Sequence, residues 1–457
     1  MNAPTKVSVS TYDIEAFAAS LGDVPIETDP KTLQKKSRDF FWFSPVLKRQ
    51  LQGKVAELIV VPRDEADVIR VASAAARHRV PVTVRGGGTG NYGQCVPVQG
   101  GVVLDMSALS AIEWQKGALL RVGAGRKMHL IDAETRKQGY ELRMHPSTKR
   151  MASIGGFAAG GSGGVGSVTY GGLRELGNIT GARVISLEET PRVFELKGDA
   201  ALKICHGWGT TGIITALEMP LAPAFDWIDV IVAFKDFMTA VRFGHELALT
   251  DGVVKKLVTP IDWPIPAYFQ GMEQHFPKGS AAVIAMIADH SIEPFRSLAA
   301  AHKGEITYEK ATDESMGARP LYELMWNHTT LLALNVDRDI TYLQSLYPPF
   351  GFLEKVAEIT SLFPRDEVIH HFEFTRYAGL PTGSGLPLIK YTTDERLNEI
   401  MEIYRSHGVF IADPHIWMLE DSAGYKSADA DLMGFKREVD PLGICNPGKM
   451  RTYVPLR

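Results

Sequence analysis

Three cysteines in 457 residues, Cys95, Cys205 and Cys445, are too few and too far apart for a disulfide framework or a cysteine-built zinc site. A reducing, cytoplasmic setting is the expectation that follows. No apolar run reaches the ~18 residues of a membrane span. The opening stretch MNAPTKVSVSTYDIEAF lacks the apolar core of a secretory signal. Excess charge of either sign is also missing. The formal net charge is -4, which gives no electrostatic case for nucleic acid or an anionic membrane. With 45% hydrophobic and 22% charged residues the composition is that of a soluble globular protein, and the length allows two or three domains.

What the chain has is glycine in clusters. The stretch VRGGGTGNYGQCVP, Val84 to Pro97, carries Gly86, Gly87, Gly88, Gly90 and Gly93, too many for the interior of a helix or strand. A strand–helix–strand unit delivers it. Glu57 to Val61 is a short apolar run suited to a buried strand, and Asp64 stands in N-cap position with Asp67 three residues on. Val68, Ile69, Val71, Ala72, Ala75 and Ala76 mark one helical face, and Val80 to Val84 is the second strand. A dinucleotide fingerprint requires glycine where Asn91 stands and a helix after the loop. A nucleoside-triphosphate loop requires Gly-Lys-Ser/Thr. Neither pattern is met. GGVVLDMSAL follows and reads as another strand and turn, so the loop lies between strands. Successive N–H groups without side chains form a concavity for an anion such as a pyrophosphate; a plain surface loop is the structural alternative.

Arg85-Gly86-Gly87-Gly88-Thr89-Gly90, Pro97 and Gly101-Val102-Val103-Leu104-Asp105-Met106-Ser107 together resemble the pyrophosphate loop of the vanillyl-alcohol oxidase/p-cresol methylhydroxylase flavoproteins. The likeness is closest to their D-lactate dehydrogenase and glycolate oxidase branch. Three more blocks follow in the family's order: Ser153-Ile154-Gly155-Gly156-Phe157 with Tyr170-Gly171 and Gly177 to Gly181; Gly207 to Ala216; and Asp440-Pro441-Leu442-Gly443-Ile444-Cys445-Asn446-Pro447-Gly448-Lys449. The resemblance implies an α+β protein with a two-lobed FAD-binding domain of the p-cresol methylhydroxylase type and an α+β cap domain with an antiparallel sheet. Its expected parts are an N-terminal extension (1–50), the FAD-binding domain (51–222, split near 110), the cap (223–439) and a C-terminal return to the FAD domain (440–457).

On the same resemblance, FAD contacts are expected from Arg85, Gly86, Gly87, Gly88, Thr89, Gly90, Asn91 and Tyr92 in the loop. Pro146, Ser153, Gly155, Gly156, Gly163, Gly164, Ser167 and Tyr170 belong to the second region. Gly207, Gly209, Gly212, Ile213 and Ile214 belong to the third, and Asn446 is expected near the ring. Several relatives attach the flavin through a loop histidine where Thr89 or Gly90 stands here, and Cys95 and Cys205 read as small buried residues. The expectation is therefore non-covalent FAD.

Beyond Pro220-Leu221-Ala222-Pro223, WIDVIVAF, SAAVIAMIADH and GEITYEK read as strands, with MTAVRFGHELAL and IEPFRSLAAAHK as helices between them. Such alternation fits a sheet with helices on one face. Removing hydride from an alcohol carbon requires a base for the hydroxyl proton, and a cation where the substrate is a carboxylate. Val368 to Arg376, as a strand, places His371, Glu373 and Thr375 on one face and His370, Phe372 and Arg376 on the other. His415 lies ahead of Asp440-Pro441 at about the distance where D-lactate-type relatives place Glu-His-Gly. Pro414 and Ile416 replace the Glu and Gly, and the upstream G-D-G-N-x-H motif is missing. Those residues help build a metal site in the relatives, so no metal ligand is assigned. His415 is the expected base, His371 and Glu373 the next candidates, and Arg376 the carboxylate clamp. A framework role in the cap is the alternative for each. AGLPTGSGLPL, Ala378 to Leu388, reads as a mobile loop.

The expected function is FAD-dependent oxidation of a CH–OH group, that of a D-lactate-like 2-hydroxy acid, by hydride transfer to flavin N5. Two alternatives remain: the same fold acting on an aromatic or sugar alcohol, with Trp263, Tyr268, Phe269 and Trp417 as a candidate aromatic pocket, or a flavin-binding protein with a degenerate site. Oxygen, a quinone or an electron-transfer protein is the expected acceptor, and a homodimer the oligomer to test.

Overall fold

The computed structural model describes residues 12–315, 317–421, 430–451 and 453. The ends of the N-terminal extension and of the C-terminal return thus lie outside the described residues. The chain begins its fold with a four-stranded sheet ordered Ile26–Glu27, Leu58–Val60, Val102–Asp105, Val82–Arg85. The last three strands are parallel. Asp64 caps the helix Glu65–His78 by accepting from the Asp67 amide at 2.9 Å, and Arg79 ends it in the left-handed region. Val68, Val71, Ala72 and Ala75 are fully buried against the sheet, as the helical period requires. The glycine stretch is the crossover between the neighbouring parallel strands Val82–Arg85 and Val102–Asp105.

A second lobe begins at Ile112. Its antiparallel sheet runs Ile112–Lys116, Leu119–Gly123, Ile213–Pro223, Gly181–Ile185, Val193–Lys197, with Tyr140–Leu142 added at the far end of the long strand. Pro220 and Pro223 lie in the last stretch of that strand, which ends at Pro223, and pair with Leu119 and Tyr140.

The cap sheet is antiparallel throughout, in the order Lys255–Ile261, Ala281–Ala288, Trp227–Phe234, Glu305–Ala311. Its side chains alternate. Val230, Val232, Val283 and Ala285 pack on the helices Phe237–Leu249 and Ile292–Ala301. Ile231, Ile284 and Met286 face the opposite way, onto Leu321, Tyr322, Leu324 and Met325. Two small sheets complete the cap.

Two expectations fail here for physical reasons. Val368 to Arg376 is not one strand. Val368–Ile369 pairs with Leu388–Lys390, and Phe372–Tyr377 pairs with Leu380–Gly385 in a different sheet, so the chain changes sheets at His370 and His371. The Gly/Pro-rich stretch is likewise no mobile loop. Leu380–Gly385 is paired residue for residue with Phe372–Tyr377. A Cβ on Gly383 would sit 2.7 Å from the Phe352 ring, so glycine serves close packing there.

The C-terminal return is built by Asp440. Its carboxylate accepts from the amides of Ile444 and Cys445 at 3.0 and 2.9 Å and pairs with Lys436. The turn so formed lays Ile444 to Asn446 along Val82, with Val82 N donating to Ile444 O and Asn446 N to Val82 O. Phe41, Phe43, Leu47 and Leu51 are buried, and the Phe40 amide donates to Gly90 O at 2.7 Å. Among the described residues no helix is long and apolar enough to cross a membrane.

Candidate active site

A cleft holding about 1560 Å³ of space, open in part to solvent, runs between the glycine loop and the cap. Gly86 to Tyr92 form one wall. The loop lies so close to the next motif that side chains have no room. A Cβ on Gly86 would collide with Ser153 Oγ, and one on Gly87 with the carbonyl oxygen of Met151. Gly88 has φ +65, and a Cβ there would run into the Arg85 guanidinium. Ser153 caps the short helix Ile154–Gly160 through the Gly156 amide at 3.2 Å, and Gly155 and Gly156 line the cleft floor. Gly209, Gly212 and Ile214 line it from the third motif, and Pro146 and Gly163 from between.

Other expected contacts support this wall from behind. Arg85 is buried and donates to Lys36 O, Arg38 O and Cys95 Sγ, which ties the loop to the N-terminal extension. Asn446, at φ 45, donates through Nδ2 to Gln94 O and Trp208 O, so it staples two cleft-lining turns together. Ser167 accepts from the Gly164 amide, a Cβ on Gly164 would strike His145 O, and one on Gly207 would meet Thr211. Ile213 belongs to the core of the first lobe, and Tyr170 packs under Arg143.

The expected base is placed elsewhere. His415 is buried, with Nδ1 2.8 Å from Ser44 Oγ and Nε2 3.0 Å from Tyr342 O, and it is absent from the cleft lining. Because a carbonyl only accepts, Nε2 carries the proton and Nδ1 accepts from Ser44. Burial holds its pKa below the usual histidine value. His415 therefore props Tyr342, whose hydroxyl in turn accepts from Asn91 of the loop. His371 is fully buried, with Nε2 2.9 Å from Glu373. Glu373 also accepts from Thr259 and, at 2.7 Å, from the Trp326 amide. Trp326 needs that anchor, since its φ of 55 and ψ of -137 fall outside the regions open to ordinary residues.

A second cavity, about 1040 Å³ counting space open to solvent, adjoins the cleft and shares Ser162, Gly163, His206, Trp326 and Ser384 with it. Arg174, Glu175, Thr375 and Arg376 complete much of its wall. Arg376 is at the cavity, but its guanidinium holds Val168 O, Gly379 O and Asp251. His206 has Nε2 accepting from the Trp208 indole at 3.1 Å and Nδ1 3.3 Å from Gly161 O. Among the described lining residues of both cavities it is the one imidazole. Trp263, Tyr268, Phe269 and Trp417 line neither of these two cavities.

Sequence reading missed His206, Trp326, Asn327, Gln344, Ser384 and Asp39 as cleft residues. Each sits on a different turn or outside a motif. The signal available was slight: His206 and Trp208 flank Gly207 of the third block.

The cleft suits a large polar cofactor. Its wall carries three buried polar atoms without a protein partner, Asp39 Oδ2, Trp326 Nε1 and Asn327 Oδ1, and a loop where any Cβ would fill the cradle. Residues 56–191 match the family model of the FAD binding domain. This segment is an FAD-binding domain. The chain is 28% identical over 169 residues to a D-lactate dehydrogenase of Archaeoglobus fulgidus, which covers 36% of each chain. It is 32% identical over 138 residues to the D-2-hydroxyglutarate dehydrogenase of Escherichia coli, 29% of this chain and 13% of that one. It is 33% identical over 116 residues to glycolate oxidase subunit GlcD of the same organism, 25% and 23% of the two chains. These matches span less than half of the relatives' own length. Over 98% of this chain and 87% of the other, the fold is that of an alkyldihydroxyacetonephosphate synthase, at TM-score 0.71 and 15% identity. The cofactor of the FAD-binding domain is FAD.

Proposed function

We propose that the protein oxidises the CH–OH group of a small 2-hydroxy acid, with FAD held without a covalent bond. The observation that carries the reading is the second cavity, which meets the FAD cleft at His206 and Trp326 and has Arg174 and Arg376 on its wall. FAD, when bound, supplies the two-electron acceptor for a hydride. The chain's own residues do the rest. Arg174 stands on that wall beside Glu175, and Arg376 is paired with Asp251, so a substrate carboxylate would be held by arginines that already have partners. Trp326, fixed through Glu373, closes the junction and excludes water. His206 takes the hydroxyl proton at Nε2, where the Trp208 indole N–H now rests, while Nδ1–H faces Gly161 O. The non-covalent reading is supported by Cys95. Its thiol accepts from Arg85, and burial pushes its pKa up to about 11, so it stays a thiol at neutral pH.

The test is anaerobic mixing of the FAD-loaded protein with a panel of 2-hydroxy acids, aromatic alcohols and sugar alcohols, followed by timed exposure to air. Bleaching of the flavin by 2-hydroxy acids alone is expected. Bleaching only by aromatic or sugar alcohols would move the assignment to those substrates, and bleaching by none would leave a flavin-binding protein without this activity. Fast return of colour in air marks oxygen as acceptor, and slow return marks a quinone or electron-transfer protein.

A further inference from the structure

Asp39 is a carboxylate that the protein satisfies on one side only. It precedes the matched domain and reaches the cleft from the N-terminal extension. It is 3% exposed. Oδ1 accepts from the Phe41 amide at 3.0 Å, whereas Oδ2 is buried with no hydrogen-bond partner. Oδ2 lies beneath the glycine loop, 3.3 Å from where a Cβ on Gly90 would be.

The groups facing this carboxylate are Lys449, Arg85, the thiol and amide of Cys95, and Tyr342. None completes Oδ2. Arg85 is committed to Lys36 O, Arg38 O and Cys95 Sγ. Lys449 donates to Gly93 O and Tyr342 receives the Asn91 amide. Burial pushes the Asp39 pKa up to about 6, against the fields of Lys449 and Arg85. The group is therefore mostly ionised at neutral pH, with one oxygen desolvated and unpaired. Such an arrangement is costly until a donor arrives.

We propose that Asp39 Oδ2 is a cofactor-binding group that accepts a hydrogen bond from an O–H or N–H of FAD, so that binding completes the carboxylate. The inference rests on the cleft being the FAD site. The donor is a sugar-chain hydroxyl, the imide N–H of the ring or the adenine amino group.

The experiment titrates flavin-free protein with FAD and follows fluorescence, for wild type and Asp39→Asn. Asparagine keeps an oxygen for the Phe41 amide and presents an NH₂ where an acceptor is needed. Its affinity should fall by about 10- to 100-fold at neutral pH, the worth of a hydrogen bond to a charged group. Wild-type affinity should weaken as the pH falls through about 6, because protonation removes the acceptor, and the variant should be flat there. Lys449, held down by burial to about 8, stays charged over that window. FAD alkylated at the ring imide separates that donor from the other two. If the variant's deficit disappears with the analogue, the ring imide is the donor; if it persists, a hydroxyl or the adenine amino group is.

Equal affinities in wild type and variant would overturn the inference while leaving the FAD site intact. Wild type that takes up no FAD at any pH would sink both. Should the variant fail to fold, the wild-type profile decides, and a flat one between about pH 5 and 7 overturns the proposal.

Discussion

On the loop side of the cleft, Gly86 to Gly90 present backbone and almost no side chain; on the cap side, Trp326, Asn327, Gln344, Ser345 and Ser384 present side chains from separate segments. The loop wall is held in place by contacts a single methyl group would break. The cap wall is held by hydrogen bonds at a distance, such as Glu373 to the Trp326 amide. A wall made of backbone fits what is common to every FAD molecule, its phosphates. A wall made of side chains fits what varies, the substrate. Damage to the first should therefore remove the cofactor, and damage to the second should leave the cofactor and change the chemistry.

Gly87→Val should have the largest effect. Its Cβ meets Met151 O, so the loop must move, at a cost of about 1–3 kcal/mol for overpacking, and FAD retention is lost. Flavin content after purification and a thermal melt check this; full flavin content would show that the wall tolerates side chains. His206→Asn should keep FAD and slow its reduction by substrate about 10²–10⁴-fold, the usual worth of a general base. His415→Asn should instead lower stability by about 1–3 kcal/mol with near-normal reduction, because it removes buried hydrogen bonds to Ser44 and Tyr342. Stopped-flow reduction of the two variants reverses the assignment if the slow one is His415→Asn.

Asp39 gives a stability effect of known sign. Its folded pKa of about 6 lies above the 3.8 of a free carboxyl, so the folded state holds its proton longer than the unfolded chain. The stability this contributes is complete below about pH 4 and is lost as the pH rises through 6, about 3 kcal/mol in all. Flavin-free Asp39→Asn should thus melt higher than wild type at neutral pH even though it binds FAD less well. A lower melting temperature would mean that the carboxylate stabilises the fold. Glu373→Gln should have the smallest effect on the cofactor. It weakens the hold on Trp326, Thr259 and His371 by about 1.5–3 kcal/mol and leaves FAD binding unchanged. Loss of flavin in this variant would erase the distinction between the walls.

The same distinction explains what the sequence revealed. The helix Glu65–His78, the strand–loop–strand around it and the C-terminal turn at Asp440 were legible because each is specified locally, by a cap, a periodicity or a glycine that must be bare. The short apolar runs of Trp227–Phe234 and Ala281–Ala288, buried almost throughout, gave the cap sheet for the same reason. Lys255–Ile261 was missed, since KKLVTPI has neither alternation nor a turn signal, and its place is set by pairing with Ala281–Ala288. His415 misled because its neighbourhood in sequence resembled an active-site motif, while its partners Ser44 and Tyr342 lie 371 and 73 residues away. Asp39 and Trp326 reach the cleft from distant parts of the chain, and no spacing rule joins them.

That the cleft holds FAD through non-covalent contacts is tested most directly by acid precipitation of protein purified in excess FAD, with free ligand first removed. One equivalent of intact FAD in the supernatant and a colourless pellet are expected. A yellow pellet over a colourless supernatant would contradict the non-covalent site, and flavin in neither fraction would contradict the cleft as an FAD site.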